Sequence, residues 1–290
     1  MADTDRVTRA MTSDGAFRVI AAITTDTARE AARAQGLSGD DALRLAELIT
    51  GAVLLRETTH PARRVQILVR DRRGAVMVAD ALPDGTNRGI VNPGSPASTD
   101  ADQGPDGGDS TLQVSYTMPS GALHHGIVAV PAGSPLSSVL MRYMQQSEQT
   151  VSVIAVTAVP GGGEEVGAVG GYVVQLLPEA DRPALRAMTH HLDGLDSLAR
   201  LLDDPQTSRD LVSRVLEGFE HAELSDTPLR FGCTCSEERF LRGMATLGPE
   251  EVAELVAAQA PLEVRCDACG RRYAIEPDKL RAFITGRFAS

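Results

Sequence analysis

An α+β fold is predicted for this chain: an N-terminal, largely antiparallel sheet domain with helices, then a helical amphipathic linker, then a small C-terminal zinc-binding domain. Three observations predict it. Short apolar runs separated by Gly-, Pro- and Asp-rich turns fill the chain up to Pro178, the pattern of strands and hairpins rather than of long helices. Beyond Pro178 the apolar residues recur at spacings of three and four, a helical period. The only four cysteines stand in two tight pairs near the C-terminus, Cys233-Thr-Cys235 and Cys266-Asp-Ala-Cys269, with 30 residues between them. These changes of pattern divide the chain into residues 1–178, 179–232 and 233–290.

In chain order, a short polar lead precedes Phe17-Arg-Val-Ile-Ala-Ala-Ile23, an apolar run read as the first strand. Residues 27–37 and 40–58 read as helices. In the second, Leu43, Leu45, Ala46, Ile49, Val53 and Leu54 recur at helical spacing, and Asp40 with Asp41 suits a helix start. Val65–Val69 and Ala75–Ala79 flank the turn Asp71-Arg-Arg-Gly74, a hairpin. From Asn92 to Ser110 there is almost no apolar residue, so burial cannot offset the entropy of ordering and a mobile loop is expected. Strands resume at 111–117 and 126–130, a short helix is expected at 134–146, and 151–159 with 166–177 form a second hairpin around Pro160-Gly-Gly-Gly163.

In the linker, Leu185, Met188, Leu192, Leu195, Leu198 and Leu202 fall on one face of a single long helix ended by Asp203-Asp-Pro205. Leu211, Val212, Val215, Leu216 and Phe219 make a second stripe. The stripes either pack permanently on the sheet or are covered in one state and exposed in another. Residues 179–232 carry eleven acids against six arginines.

Two cysteine pairs on short elbows suit a tetrahedral thiolate site for zinc. Gly270 lets the backbone turn over the metal, and the second pair lies at an expected hairpin turn between Leu262-Glu-Val-Arg265 and Arg271-Arg-Tyr-Ala-Ile275. The single residue inside the first pair demands a bent backbone. A disulfide framework, a thioredoxin-like dithiol and ordinary buried cysteines are the rival readings. The opening Met-Ala-Asp-Thr-Asp-Arg has no apolar signal core and no later run spans a bilayer, so a reducing, cytoplasmic setting is expected, where permanent disulfides are disfavoured. A dithiol enzyme leaves Cys233 and Cys235 without a role.

The composition narrows function further. With 290 residues, 42% of them hydrophobic, the chain can bury a sizeable core. A net charge of −11 argues against nucleic acid or an anionic membrane as partner. Residues 233–290 hold eight basic and nine acidic side chains, and four thiolates around a zinc ion add negative charge. Lys279 is the only lysine, so phosphate-loop and Schiff-base chemistry lack their usual residue. His60, His124, His125, His190, His191 and His221 are scattered, and adjacent His190 and His191 point apart on a helix. No nucleophile or dinucleotide motif stands out, so no enzyme is expected.

The stretches Phe231-Gly-Cys-Thr-Cys-Ser-Glu-Glu-Arg239, Leu247-Gly-Pro-Glu-Glu251 and Val264-Arg-Cys-Asp-Ala-Cys-Gly-Arg-Arg-Tyr273 resemble the zinc module of the bacterial 33 kDa heat-shock protein family. Asn87-Arg-Gly89, Gly126-Ile-Val128, Tyr143 with Ser147-Glu-Gln149, and Gly170-Gly-Tyr-Val-Val-Gln-Leu-Leu-Pro178 are similar to that family's sheet domain, in the same order.

The resemblance implies a redox-regulated, ATP-independent holdase chaperone. In the reduced state one zinc ion is held by Cys233, Cys235, Cys266 and Cys269 and the protein is inactive. Oxidation forms the disulfides Cys233–Cys235 and Cys266–Cys269, releases zinc and unfolds the linker. Unfolding client proteins are then bound, the active form is a homodimer, and reducing systems reset the disulfides. The implied scheme is physically coherent. So small a C-terminal segment buries little apolar surface, and a structural zinc site supplies about 10–16 kcal/mol of apparent binding energy. Thiolates are also what peroxide and hypochlorous acid attack. The competing reading is a constitutive zinc-stabilised interaction or RNA-binding protein in which the metal is only a staple.

Overall fold

The computed structural model describes residues 5–72, 74–92, 110–117, 120–203, 207–244, 255, 257 and 260–288. Most of the expected 92–110 loop, together with Asp204, Pro205 and the Leu247–Glu251 motif, lies outside the described residues. The chain forms two compact units, Met1–Gly232 and Cys233–Ser290.

The first unit contains two sheets. One holds β1 (Arg6–Thr12), β2 (Phe17–Ile23), β8 (Ser152–Pro160), β9 (Val166–Leu176) and β10 (His221–Pro228), in the order β10-β1-β2-β9-β8 with every neighbour antiparallel. The other holds β3 (Arg64–Arg70), β4 (Val76–Ala81), β5 (Thr86–Asn92), β6 (Ser110–Thr117), β7 (Leu123–Val130) and the two-residue β11 (Arg230–Phe231), in the order β11-β5-β4-β3-β6-β7. Only β11 on β5 is parallel. The α+β class and its antiparallel sheets are therefore as the sequence predicts.

Helix α1 (Thr25–Gln35) leads into α2 (Gly39–Glu57), which packs on β2, β8 and β9 of the first sheet and on β3, β4 and β5 of the second. A helix touched on both sides must be apolar nearly all round, and α2 buries thirteen of its nineteen residues. Leu45, Leu48, Ile49, Leu54 and Leu55 share one core with Val65, Ile67, Leu112 and Val114. At its C-terminal end Glu57 is buried between Arg56 and Arg9, and both arginines pair with its carboxylate. Helix α3 (Leu136–Gln146) covers β7 and β8.

The Asn87-Arg-Gly89, Gly126-Ile-Val128 and Gly170-Gly motifs of the sheet domain are sites of close packing. A Cβ on Gly89 would stand 2.5 Å from Leu45 Cδ1, and one on Gly171 would stand 2.7 Å from the Ala155 carbonyl of the neighbouring strand. A Cβ on Gly126 would reach Ser147 Oγ at 2.9 Å and the Tyr143 ring at 3.0 Å. Tyr143 in turn donates to Glu148 at 2.7 Å. Asn87 is buried and donates to the Gly85 carbonyl at 2.8 Å, while Arg88 clamps the buried Asp80 at 2.7 Å. These motifs fix sheet and helix approach rather than chemistry.

Four strands escaped the periodicity, one of them the two-residue β11. β1 draws its burial from Thr8 and Thr12 as much as from Val7 and Ala10, so it reads as a polar lead. β5 begins Thr-Asn-Arg-Gly, in which Asn87 and Gly89 are poor strand formers that are accepted because they pack so closely. β10, His-Ala-Glu-Leu-Ser-Asp-Thr-Pro, is a mostly exposed edge strand held by pairing with β1 and by the ion pair Arg6–Asp226 at 2.8 Å. The segment 179–232 is thus helical only to Val215.

The long linker helix is two helices, α4 (Arg182–Gly194) and α5 (Leu198–Leu201), followed by α6 (Ser208–Val215). Gly194 and the extended Leu195 interrupt the run, since glycine is a weak helix former and Asp196-Ser197 favours a turn. The apolar stripe survives the break. Met188, Leu198, Leu202, Leu211, Val212, Val215 and Leu216 pack on Phe17, Val19, Ala21 and Val174, the face of the first sheet opposite α2. In this structure the sheet itself covers both stripes except at Leu185, which is exposed.

Asp5 is 1% exposed and accepts the backbone N–H of Thr27 at 2.6 Å and of Asp26 at 3.1 Å, at the start of α1. Burial outweighs these donors and raises its pKa from 3.8 to about 6. The folded state therefore binds this proton more tightly than the unfolded chain, and stability falls as pH rises from the unfolded value toward the folded one, then levels. At about 1.4 kcal/mol per pKa unit, the ionised carboxylate at neutral pH costs on the order of 3 kcal/mol. In urea unfolding, the stability of Asp5→Asn relative to the parent should rise by about 1–2 kcal/mol between pH 5 and pH 7. A pH-independent difference would show that Asp5 does not titrate there.

Among the described residues, no helix is long and apolar enough to cross a membrane.

Candidate metal centre

The second unit is built around a short hairpin. β12 (Leu262–Arg265) pairs with β13 (Arg272–Ile275), the last rung being Arg265 with Arg272, so Cys266 to Arg271 form the turn. Cys266 N donates to the Arg271 carbonyl at 2.8 Å and Gly270 N to the Cys266 carbonyl at 2.8 Å. Gly270 has φ of +69°, a left-handed conformation in which a side chain is strained. This tight turn aims the amides of Ala268 and Cys269 at the Cys266 sulfur and that of Arg271 at the Cys269 sulfur.

The first pair takes its shape from the helix on its C-terminal side. Helix α7 (Glu237–Met244) starts at Ser236, whose hydroxyl accepts the Arg239 N–H at 3.2 Å. The Arg239 guanidinium reaches back to the carbonyl and hydroxyl of Thr234, the residue between the two cysteines. That grip supplies the bend the single-residue spacing demands. Ser236 and Arg239 therefore support the elbow.

All four sulfurs lie within 4.8 Å of one another, with Cys233 Sγ 3.7 Å from Cys266 Sγ and Cys235 Sγ 3.4 Å from Cys269 Sγ. For a tetrahedral ion with metal–sulfur bonds of about 2.3 Å, neighbouring sulfurs stand about 3.8 Å apart. The donor set and spacing fit such an ion. None of the four cysteines is joined in a disulfide in this structure.

Burial, opposed by the turn amides, pushes the Cys266 thiol up. It also pushes Cys269 up to about 12, with a further rise from the neighbouring sulfurs of Cys235, Cys266 and Cys233. Four thiols packed together resist ionising because each thiolate repels the next, and a divalent cation among them reverses that balance.

Tyr273 was not singled out by sequence chemistry. Its hydroxyl donates to the Cys235 carbonyl at 2.9 Å and lies 3.1 Å from Cys235 Sγ, while its ring packs on Phe240 at 5.2 Å. It ties the second elbow's strand to the first elbow. The signal was its place four residues after Cys269 in a strand. Helix α8 (Pro277–Phe288) adds Leu280, buried with Ile275 and Ala268, and Lys279 pairs with Glu237 at 2.9 Å.

Among the described residues no other group of three or more His, Cys, Asp or Glu side chains could hold a metal ion. His124, exposed, stacks on Tyr116, and the half-buried His191 meets Phe219 edge-on.

A family model described as Hsp33 protein matches residues 5–276. Among curated relatives, a 33 kDa chaperonin of Thermus thermophilus is 31% identical over 96% of this chain and 86% of its own length. One of Syntrophotalea carbinolica is 28% identical over 97% and 99%. A crystal structure of the 33 kDa chaperonin from Thermotoga maritima superposes with a TM-score of 0.81 at 18% identity, over 99% of this chain and all of that one, which shows a shared fold.

Proposed function

This chain belongs to the Hsp33 family, and on that premise we propose that it is a chaperone of the holdase type, switched on by oxidation, with Cys233, Cys235, Cys266 and Cys269 as both zinc ligands and sensors. The supporting observation is the convergence of four sulfurs within 4.8 Å on two short elbows. Zinc, when bound, supplies the folding energy that a unit this small lacks.

In the proposed switch, Cys233 with Cys235 and Cys266 with Cys269 close as disulfides. Each takes one molecule of hydrogen peroxide: two sulfurs lose two electrons, the S–S bond forms, and with two protons the peroxide becomes two waters. The sulfurs then no longer offer thiolates to a cation. Both disulfides are local and hold no distant elements together, so residues 233–290 lose their staple. Reduction by cellular thiol systems reverses the step.

On this reading residues 1–178 carry client binding and dimerisation, 179–232 respond to the switch and 233–290 sense oxidant. The linker stripe of α4 to α6 becomes available to clients only by leaving the first sheet, which exposes Phe17, Val19 and Val174 with it. Clients are unfolding proteins, recognised through exposed apolar surface. Neither ATP nor a nucleic acid enters the scheme, and the setting is the cytoplasm.

The test is suppression of light scattering by a heat-unfolding client, with zinc release followed in parallel by a chromogenic chelator. Protection should appear only as zinc leaves peroxide-treated protein. Zinc loss without protection, or protection equal in the reduced protein, makes the cluster a structural staple and favours a constitutive interaction protein.

A further inference from the structure

The outer edge of β5 is covered in an unusual way. β5 is seven residues long, yet the strand beside it, β11, has two, and pairs with it in parallel. Arg230 N donates to the Gly85 carbonyl at 3.0 Å and Gly232 N to the Asn87 carbonyl at 3.0 Å. Farther along the same edge the side chain of Gln35 stands in for a strand, donating to the Gly89 carbonyl and accepting from Val91 N at 2.9 Å. Helix α1, which carries Gln35, packs on β5 and β11. Yet the backbone ladder along this edge is filled by only a short strand and one amide side chain, which makes it a template for an added strand once these covers give way.

The occupant is informative. Leu229 is 2% exposed and belongs to the main core, Phe231 packs against that core, and Arg230 between them faces out to Asp84 at 2.9 Å. Apolar, any residue, apolar, in an extended backbone, is what an unfolding polypeptide presents. The backbone hydrogen bonds carry no sequence requirement. The segment also ends at Gly232, one residue before Cys233, and a Cβ at Gly232 would stand 2.6 Å from Thr86 Cγ2, so backbone and edge are in close register.

We propose that the β5 edge is a docking site for an extended apolar segment of an unfolding protein, occupied by the chain's own Leu229–Gly232 until the cysteine unit unfolds. This rests on the holdase reading above. The latch follows β10 directly on its N-terminal side and runs straight into Cys233 on its C-terminal side. Freed at its C-terminal end it frays, as short terminal pairings do. A client segment that pairs along all of β5 then replaces two residues and the Gln35 amide with a full ladder.

A fluorescent peptide of residues 226–232 is the probe, with an analogue methylated on the Arg230 and Gly232 amide nitrogens that keeps every side chain. Anisotropy on the full chain should show binding at least tenfold tighter to the oxidised than to the reduced, zinc-loaded protein. The methylated analogue should bind at least tenfold more weakly, and hydrogen exchange should slow across residues 86–92 only with the parent peptide. Reduced Leu229→Ala, whose latch lacks its anchor, should bind the peptide without oxidant, and the oxidised parent provides the same test if that variant does not fold. Equal binding of the two peptides, or binding without protection of β5, overturns the docking site. If oxidised protein prevents aggregation while the peptide does not bind, the edge site falls and the holdase reading stands. Peptide binding at β5 without any suppression of aggregation has the reverse meaning.

Discussion

Replacing Cys266 with serine is expected to strip zinc from the protein, unfold residues 233–290 and leave the reduced chain partly active as a holdase. Cys266 is the buried member of the cluster and its backbone closes the turn at both ends, to Arg271 and to Gly270. Serine keeps those backbone bonds but offers a hydroxyl that does not ionise in place of a thiolate. A structural zinc site contributes about 10–16 kcal/mol of apparent folding energy, and the small core of Ile275, Leu280 and Ala268 cannot make up its loss. Three measurements check this: metal content should fall from one zinc per chain toward none, amide exchange should become fast across β12 and β13, and client scattering should be suppressed without peroxide. A variant that loses zinc, stays folded and remains inert breaks the proposed link between metal and activity.

Leu211→Glu is expected to detach the α4–α6 layer from the first sheet while the α2 core stays intact. Leu211 is fully buried against the strands of the first sheet. Losing its burial and placing a carboxylate among Phe17, Val19 and Val212 costs at least about 3 kcal/mol. Layers that pack on one side open below the global unfolding free energy, so the cost falls on this layer first. Hydrogen exchange should accelerate in residues 182–216 and not in 39–57, and the reduced, zinc-loaded protein should suppress aggregation. Local opening without any gain in client binding means that the stripe is not a client surface.

The sequence was legible where burial is written in apolar residues. β2, α2 and the β8–β9 hairpin declare themselves because nearly every inward position is Val, Ile, Leu or Ala. β1, β5 and β10 do not, because threonines, a glycine packed under Leu45, and strand pairing alone hold them in place. Periodicity also placed the linker's apolar residues on one side, yet could not show that Gly194 breaks the helix or that the first sheet covers the stripe. At the cysteines the convergence of the two pairs was legible from their spacing, since all four sulfurs do come within 4.8 Å of one another. Tyr273 was not, because its reach to Cys235 depends on the register of β12 with β13, and Arg239 acts through a bend that only the folded backbone defines.

The pairing of β1 with β10 joins Arg6 to Pro228. The first sheet therefore cannot be completed on the ribosome until most of the chain has emerged, and at roughly 10 residues per second that wait is on the order of 20 seconds. Contacts of such large sequence separation also form slowly after release. The second sheet, apart from β11, closes from residues 64–130 alone, and the cysteine pairs are translated last. Biogenesis thus runs from the second sheet to the first and then to the cysteine unit, and until β10 arrives the nascent chain carries an unfinished sheet edge that calls for protection of its own.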